Sequence, residues 1–572
     1  MPPLRAIVYL VKKYNLSMRP RTTKLAHFLC SALVVNAFAA GAWGLDFGLH
    51  WDEHQFTNGL RKAINDLSLL PREYTYAGMY FNVGFLLLFP RLVPTLGGIF
   101  TEINANTIYP LRPEQYPALV AAKAYMESVV NSPEFLLEAR AAYLAIACLS
   151  AIWVYLILRR LFPARAIAAV AGAAYVATSW EVGYHSRFIA VDAMVMQFIA
   201  LAFLCIVIAQ QRNDRAGVIS WLGAGALCAS GAMGGKMPGM FLIVPILTAL
   251  WIHQSSNLNV KTRGLATVGL TVLFVIAFIL TTPGSLYDPL RFATNMLFEA
   301  KSYNTRIIST FTYYVQVPET HARLALTWLY GVVPSPWMPV ALLMTVVSVI
   351  GYWKLWQQHR QLLWCSLAFA LTHGLFIASN HAMVVRNWLP YVPLIAIAFG
   401  AGVVACHDIA GRNRLSWAMP VALAAVFFSN VVWLWMAAHS VQTRNPQVFA
   451  DRLLDWMRNQ RDLDVRLSPK LVTFYDLAPS RISCSIDPPS PSNRNAAIAF
   501  LAHEHDTFRW IANRPRIAER TFGTDEVNYD YYPTWWGRHW KHRIVVFRSD
   551  RAQKMGVDTT SFMRCSPSSS ES

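Results

Sequence analysis

The sequence predicts an all-α polytopic membrane protein with a small α/β domain at its C-terminal end, and three observations carry that reading. Hydrophobic residues make up 55% of the 572 residues and charged residues only 14%, against about 25% charged in a soluble domain. The apolar residues fall in runs of roughly 20, the length at which an α-helix crosses about 30 Å of hydrocarbon. The short segments between runs alternate between basic and non-basic, as loops sorted by membrane side do.

The runs place about 11 transmembrane helices, over 25–45, 138–158, 166–182, 188–210, 217–234, 238–253, 264–282, 326–350, 362–379, 388–406 and 416–437. Residues 1–24, with Lys12, Lys13, Arg19, Arg21 and Lys24, read as a cytoplasmic segment. No small-residue cleavage site follows the first run, so it reads as a retained helix rather than a signal peptide. With that end inside, Arg159, Arg160 and Arg165, Arg212 and Arg215, Lys261 and Arg263, Lys354 and Arg360, and Arg412 and Arg414 all fall on cytoplasmic connectors.

The run Met79 to Phe100 is long enough to cross but holds Pro90, Arg91 and Pro94. Counting it as a crossing would invert every later connector, so it is expected to be a juxtamembrane or re-entrant helix on the outer side. The transmembrane domain is then 25–439, with outer loops 46–136 and 283–325, and 440–572 forms an extracytoplasmic domain. In that tail a helix is expected over Phe449 to Arg458 and strands over Lys470 to Tyr475 and Ile544 to Phe547, ahead of a disordered SPSSSES end. No internal repeat of the kind that builds inverted-repeat transporters is visible.

The net charge of +18 would suggest nucleic acid if it lay on a soluble face. It lies in membrane connectors instead, so no nucleic-acid partner is expected. Cys30, Cys148, Cys205, Cys228, Cys365 and Cys406 lie in or beside apolar runs and read as small core residues. Cys484 and Cys565 lie in the tail, where an extracytoplasmic location would permit a disulfide.

Chemistry-bearing residues gather near the outer ends of the runs. Asp52 and Glu53, in GLHWDEHQF, follow the first span at headgroup level. There a carboxylate stays ionised and can act as a general base, or it can simply cap the helix that follows. Asp192 lies about one turn inside an apolar run, where a charge is costly and points to function. Arg187, five residues earlier, can reach a phosphate or snorkel to the interface. Lys236, in GAMGGKMPGMF, and Arg386, in SNHAMVVRNWLPYVP, are lone cations on the non-basic side. Cations at one membrane level can neutralise a phosphate leaving group; singly, each reads as an anchor. His50, His54 and His185 with Asp52, Glu53 and Asp192 supply enough donors for a divalent ion, although ordinary interfacial residues explain them more economically.

Taken in order, these motifs resemble the integral-membrane glycosyltransferases of the GT-C fold. They are an Asp-Glu after the first span, an Asp opening the fourth, a Gly-Lys-x-x-Gly turn at Lys236, and Arg386 in Arg-x-x-x-Pro-x-x-Pro. The protein O-mannosyltransferases and the bacterial aminoarabinose transferases acting on lipid A are the members it resembles, over roughly residues 25–410. The resemblance implies a bacterial plasma-membrane enzyme that takes a sugar from a polyprenyl-phosphate donor among membrane lipids. It would pass that sugar to a lipid, glycan or protein acceptor by inverting displacement. It further implies Asp52 as the base, Glu53 in support, Asp192 as the second acid, and Lys236, Arg386 and Arg187 beside the carrier phosphate. His185, Tyr287 and Tyr303 are the expected substrate contacts, the two tyrosines on a loop, 283–325, that can close as a lid. Where many relatives carry Tyr-Pro-Pro or Glu-Lys-Pro, this chain reads YTYAGMYF over 74–81, without the carboxylate some relatives use for metal. A transporter or flippase of a lipid-linked glycan is the competing expectation, and an inactive assembly protein a further one.

Overall fold

The structure is a computed structural model and describes residues 20–46, 53–105, 116–254, 258–304, 313–314, 317–412 and 417–443, with Asp455, Met457 and six strands of the tail. In chain order the helices are α1 Pro20–Ala42, α2 Glu53–Asn65, α3 Gly78–Ala105, α4 Pro117–Val130, α5 Pro133–Leu161, α6 Ala166–Ala177, α7 Trp180–His185, α8 Val191–Gln210, α9 Arg215–Gly235, α10 Ile243–Trp251, α11 Val260–Thr281, α12 Gly284–Tyr287, α13 Pro289–Asn304, α14 Pro318–Gly331, α15 Met338–Ala378, α16 Val392–Arg412 and α17 Ala418–Thr443. Among the described residues nine of these helices are long and apolar enough to cross a membrane.

Local chemistry sets their starts. Ser132 accepts from the Phe135 amide with Pro133 at the first position of α5, and Asp214 and Asn259 cap α9 and α11 in the same way. Helix α8 is apolar all round and buried almost throughout, which places it at the centre of the bundle. Helices α11 and α17 leave Val268, Leu280, Val421 and Phe428 exposed, a face suited to lipid. Lipid tails are as apolar as the helices, so close packing rather than water exclusion holds such helices together. The crossing of α15 and α16 shows how: a Cβ on Gly351 would fall on the Ala398 carbonyl, and one on Gly402 on the Val347 carbonyl.

The basic connectors meet at one end of the bundle. Arg160 donates to Gln211, Gln361 to the Ile252 carbonyl, and Arg165 and Lys354 both pair with Asp408, at 2.8 and 3.2 Å. At that end α15 breaks at His359 (φ −139°, ψ 41°) into two helices, 338–358 and 360–378.

Three expected spans have other bounds. The one over 166–182 stops at Ala177, because the Thr178 hydroxyl bonds back to Ala174 and Ser179 caps the short helix α7. The one over 326–350 is interrupted where Pro334 and Pro336 separate α14 from α15; the loop's carbonyls are satisfied by Trp180, Ser179 and Asn430. The one over 238–253 opens as a 3-10 turn, Met237–Leu242.

Helix α3 contains the doubtful run, and its contacts show its course. Its first amide donates to the Thr282 hydroxyl at the end of α11, and the Tyr143 hydroxyl of α5 bonds the Tyr80 carbonyl at 2.6 Å. Eleven residues on, Arg91 meets Glu138, nearer the start of α5, at 2.5 Å. Glu102 then accepts from the Ala118 amide at the start of α4. The helix therefore climbs past the beginning of α5 and returns through α4, away from the basic end.

The segment expected as a lid loop is mostly helix. α13 exposes Leu290, Leu297 and Phe298 on one face while Ser302 is buried on the other. β1 (Tyr313–Tyr314) pairs antiparallel with β2 (Ala382–Met383), tying this segment to the chain just before Arg386. In the tail, β3 Val465–Leu467, β4 Ile482–Ser485, β5 Ala497–Leu501, β6 Arg520–Phe522, β7 Ile544–Arg548 and β8 Met563–Pro567 form one mixed sheet in the order β4-β8-β3-β5-β7-β6. The strand expected at Ile544 is β7. Asp455 and Met457 are helical; the rest of that expected helix, the strand at Lys470–Tyr475 and all but Ser566 and Pro567 of the C-terminal run lie outside the described residues.

Candidate active site

At the end of the bundle opposite the basic connectors, three residues far apart in sequence meet. Asp192 sits in the first turn of α8, where the helix N-terminus favours a carboxylate. Its Oδ1 lies 2.8 Å from Lys236 Nζ and its Oδ2 3.3 Å from Arg386 Nε. Asp192 is 2% exposed, so the pair of cations holds a buried charge that would otherwise be very costly. Lys236 also donates to Asn387 Oδ1 at 2.5 Å, so the residue after Arg386 completes the cluster.

The backbone places these groups deliberately. Lys236 terminates α9 in extended conformation and the chain then folds back at once as the 3-10 turn. The return is so tight that a Cβ on Gly239 would run into the Ala232 carbonyl group. Burial works most strongly against the Lys236 ammonium, but the facing Asp192 carboxylate and Tyr303 together hold the amine above its ordinary range. Tyr303, on α13, lies within electrostatic reach of Lys236, Arg386 and Asp192; burial chiefly raises its phenol, which stays protonated.

A second buried acid stands beside the first. Glu181 on α7 is fully buried, and its Oε2 lies 3.2 Å from His185 Nε2 and accepts from Trp328 Nε1 at 3.3 Å. Among the described residues its Oε1 has no hydrogen-bond partner. His185 in turn lies within electrostatic reach of Asp192. The i,i+4 spacing of Glu181 and His185 was available in the sequence as a signal. Arg140 is the other residue that sequence reading passed over, an arginine eight positions into a long apolar helix.

The remaining expected site residues stand elsewhere. Glu53 is fully buried and occupied: Arg140 Nε meets its Oε1 at 2.9 Å, Arg140 Nη2 its Oε2 at 2.5 Å, and the Ile189 amide also donates to it. Arg187 is not directed at the cluster. Its guanidinium donates to the Ala40 and Trp43 carbonyls at the end of α1, at 2.7 and 2.9 Å, satisfying the last carbonyls of that helix. Burial lowers its pKa to about 10. Tyr287 is 73% exposed at the end of α12 and does not join the site. Asp52 and His50 lie outside the described residues. Among the described residues no three His, Cys, Asp or Glu side chains converge as a metal site.

A buried carboxylate between two fixed cations, with neutral donors at its rim, is suited to a phosphate group whose charge grows during reaction. No curated protein matches the chain in sequence. Two solved structures of ArnT from Cupriavidus metallidurans are similar over 92% of this chain and 99% of theirs. The apo state is 11% identical with a TM-score of 0.48, and the form bound to undecaprenyl phosphate is 12% identical with a TM-score of 0.45. Residues 129–281, which run from the end of α4 through α11 and include Glu181, Asp192 and Lys236, match the family described as dolichyl-phosphate-mannose-protein mannosyltransferase.

Proposed function

We propose that this chain is a glycosyltransferase that moves a sugar from a polyprenyl-phosphate donor to an acceptor hydroxyl at the extracytoplasmic membrane face. The observation that carries the proposal is the convergence of Lys236 and Arg386 on Asp192. In such a donor the phosphodiester holds one negative charge and the departing polyprenyl phosphate two. Two cations and one carboxylate leave the cluster with one net positive charge, so its attraction for the phosphate strengthens as the leaving group departs. That differential is what accelerates a reaction.

In this reading the acceptor oxygen attacks the anomeric carbon opposite the phosphate, the C1–O bond to phosphate breaks, and configuration inverts. Asp52 takes the acceptor proton. Glu53, locked by Arg140, holds the loop that carries Asp52 rather than touching substrate. Tyr303 donates to the phosphate from α13, and His185, held by Glu181, faces the sugar or acceptor. The matched family is named for dolichyl phosphate mannose, a polyprenyl-phosphate sugar, and this supports the donor class. The basic end of the bundle lies in the cytoplasm, with 1–24, and the cluster and 440–572 lie outside.

The test is transfer or hydrolysis of radiolabelled polyprenyl-phosphate sugars by the purified protein. One donor is consumed by the wild type, and Asp52→Asn lowers turnover by about 10²–10⁴-fold, the range of a lost general base. Movement of a fluorescent lipid-linked sugar between leaflets, without consumption and regardless of Asp52, would replace this reading with transport.

A further inference from the structure

We propose that Cys484 and Cys565 form a disulfide that staples the edge of the C-terminal sheet; the proposal rests on the extracytoplasmic side assigned above. These are the two cysteines of the chain outside the apolar runs. The sheet brings them together: in the antiparallel β4–β8 pair, Cys484 stands directly opposite Cys565, between Ser483 opposite Ser566 and Ser485 opposite Arg564. Directly opposed residues of such a pair hold their Cα atoms about 4.5–5.5 Å apart. That lies inside the roughly 4.4–6.8 Å Cα separation of disulfides, and the Cβ atoms, about 4.5–5.5 Å apart in such a pair, reach the disulfide's roughly 3.5–4.5 Å by a small adjustment of the two strands.

The position also has a physical use. Among the described residues β4 is an edge strand with β8 as its single neighbour, and four residue pairs join the two. A short edge strand is the part of a sheet most readily lost. The cysteines are about 80 residues apart in sequence, and a cross-link over so long a loop removes much freedom from the unfolded chain. The described cysteines of the helices are all free, so the pairing is confined to the tail.

Formation is a thiol–disulfide exchange with a disulfide-bearing oxidoreductase of the extracytoplasmic compartment. One cysteine thiolate attacks that disulfide to give a mixed disulfide, and the second displaces the oxidoreductase. The two thiols lose two electrons and two protons, and the oxidant is left as a dithiol.

The test uses the full chain in membranes, trapped with acid and N-ethylmaleimide, denatured, and mapped by mass spectrometry without reduction. The expected result is a cross-linked peptide containing Cys484 and Cys565 that reductant separates. In Cys484→Ser, Cys565 becomes labelled; the wild-type map decides if that variant does not accumulate. Both cysteines alkylated in unreduced wild type would overturn the proposal. A membrane-impermeant maleimide on intact spheroplasts then separates two failures. Labelling from outside leaves the sidedness intact, whereas protection until lysis overturns the sidedness too. Donor consumption measured on the same preparation judges the transferase reading independently.

Discussion

Arg140 and Glu53 form a fully buried bidentate ion pair, and the same guanidinium donates to the Leu45 carbonyl. Leu45 and Glu53 are the two ends of the segment that contains Asp52, so one arginine fixes both ends of the loop carrying the proposed base. Ile189 adds a third tie, from its amide to Glu53, three residues before Asp192. Leu45, Glu53 and the chain just before Asp192 are thereby held in one frame.

Removing Arg140 tests that frame. Arg140→Ala leaves Glu53 buried without its cation, which costs about 3–5 kcal/mol and lowers the unfolding temperature in detergent. Arg140→Lys keeps the charge but cannot make the bidentate contact and reach Leu45 together. The expected outcome is a smaller stability loss with turnover reduced well beyond it. Full turnover in a folded Arg140→Lys protein would show that the loop needs no such clamp.

Asp192→Asn separates holding the cations from neutralising them. The amide keeps the shape but leaves Lys236 and Arg386 repelling each other and facing the departing dianion uncompensated, so that its release becomes the slow step. Turnover is expected to fall by about 10²–10³-fold, with the apparent KM for donor unchanged or lower. A rise in KM alone, with kcat intact, would mean that Asp192 serves binding only.

Much of the bundle was legible because its signals are local. Runs of apolar residues and basic connectors need no partner to be recognised, and they located the helices and the Asp192, Lys236 and Arg386 motifs. What the sequence did not disclose was set by tertiary context. Arg187 resembles a phosphate ligand in a linear reading, but the end of α1 lies beside it and accepts from both of its terminal nitrogens. Arg140 and Glu181 carried weak signals because a charge near the end of an apolar run reads as an interfacial anchor until its partner is seen. The breaks at Thr178 and at Pro334 were masked by apolar neighbours on both sides.

Glu181→Gln preserves volume while removing the charge beside His185. A charge-assisted contact of this kind contributes about 1.5–3 kcal/mol, so kcat is expected to fall at least about tenfold. If His185 contacts the reacting groups, His185→Ala should abolish any further effect of Glu181→Gln. Additive losses in the double variant would make Glu181 a packing residue for Trp328 alone.

The pH behaviour of the cluster follows from Lys236. Its folded pKa lies above the ordinary 10.5: burial opposes its charge most strongly, but Asp192, by charge and hydrogen bond, and Tyr303 together more than offset it. A raised folded pKa means that the charged form contributes fully below 10.5 and is lost only as pH rises through the higher folded value. Tyr303, whose phenol is also raised, remains a neutral donor over the same span. Binding of a polyprenyl phosphate, followed by tryptophan fluorescence, should therefore show no alkaline loss attributable to the cluster up to about pH 10. In Asp192→Asn the outweighing carboxylate is gone, burial prevails, and the alkaline limb moves to lower pH. An unchanged limb in that variant would show that Lys236 owes its proton to something other than Asp192.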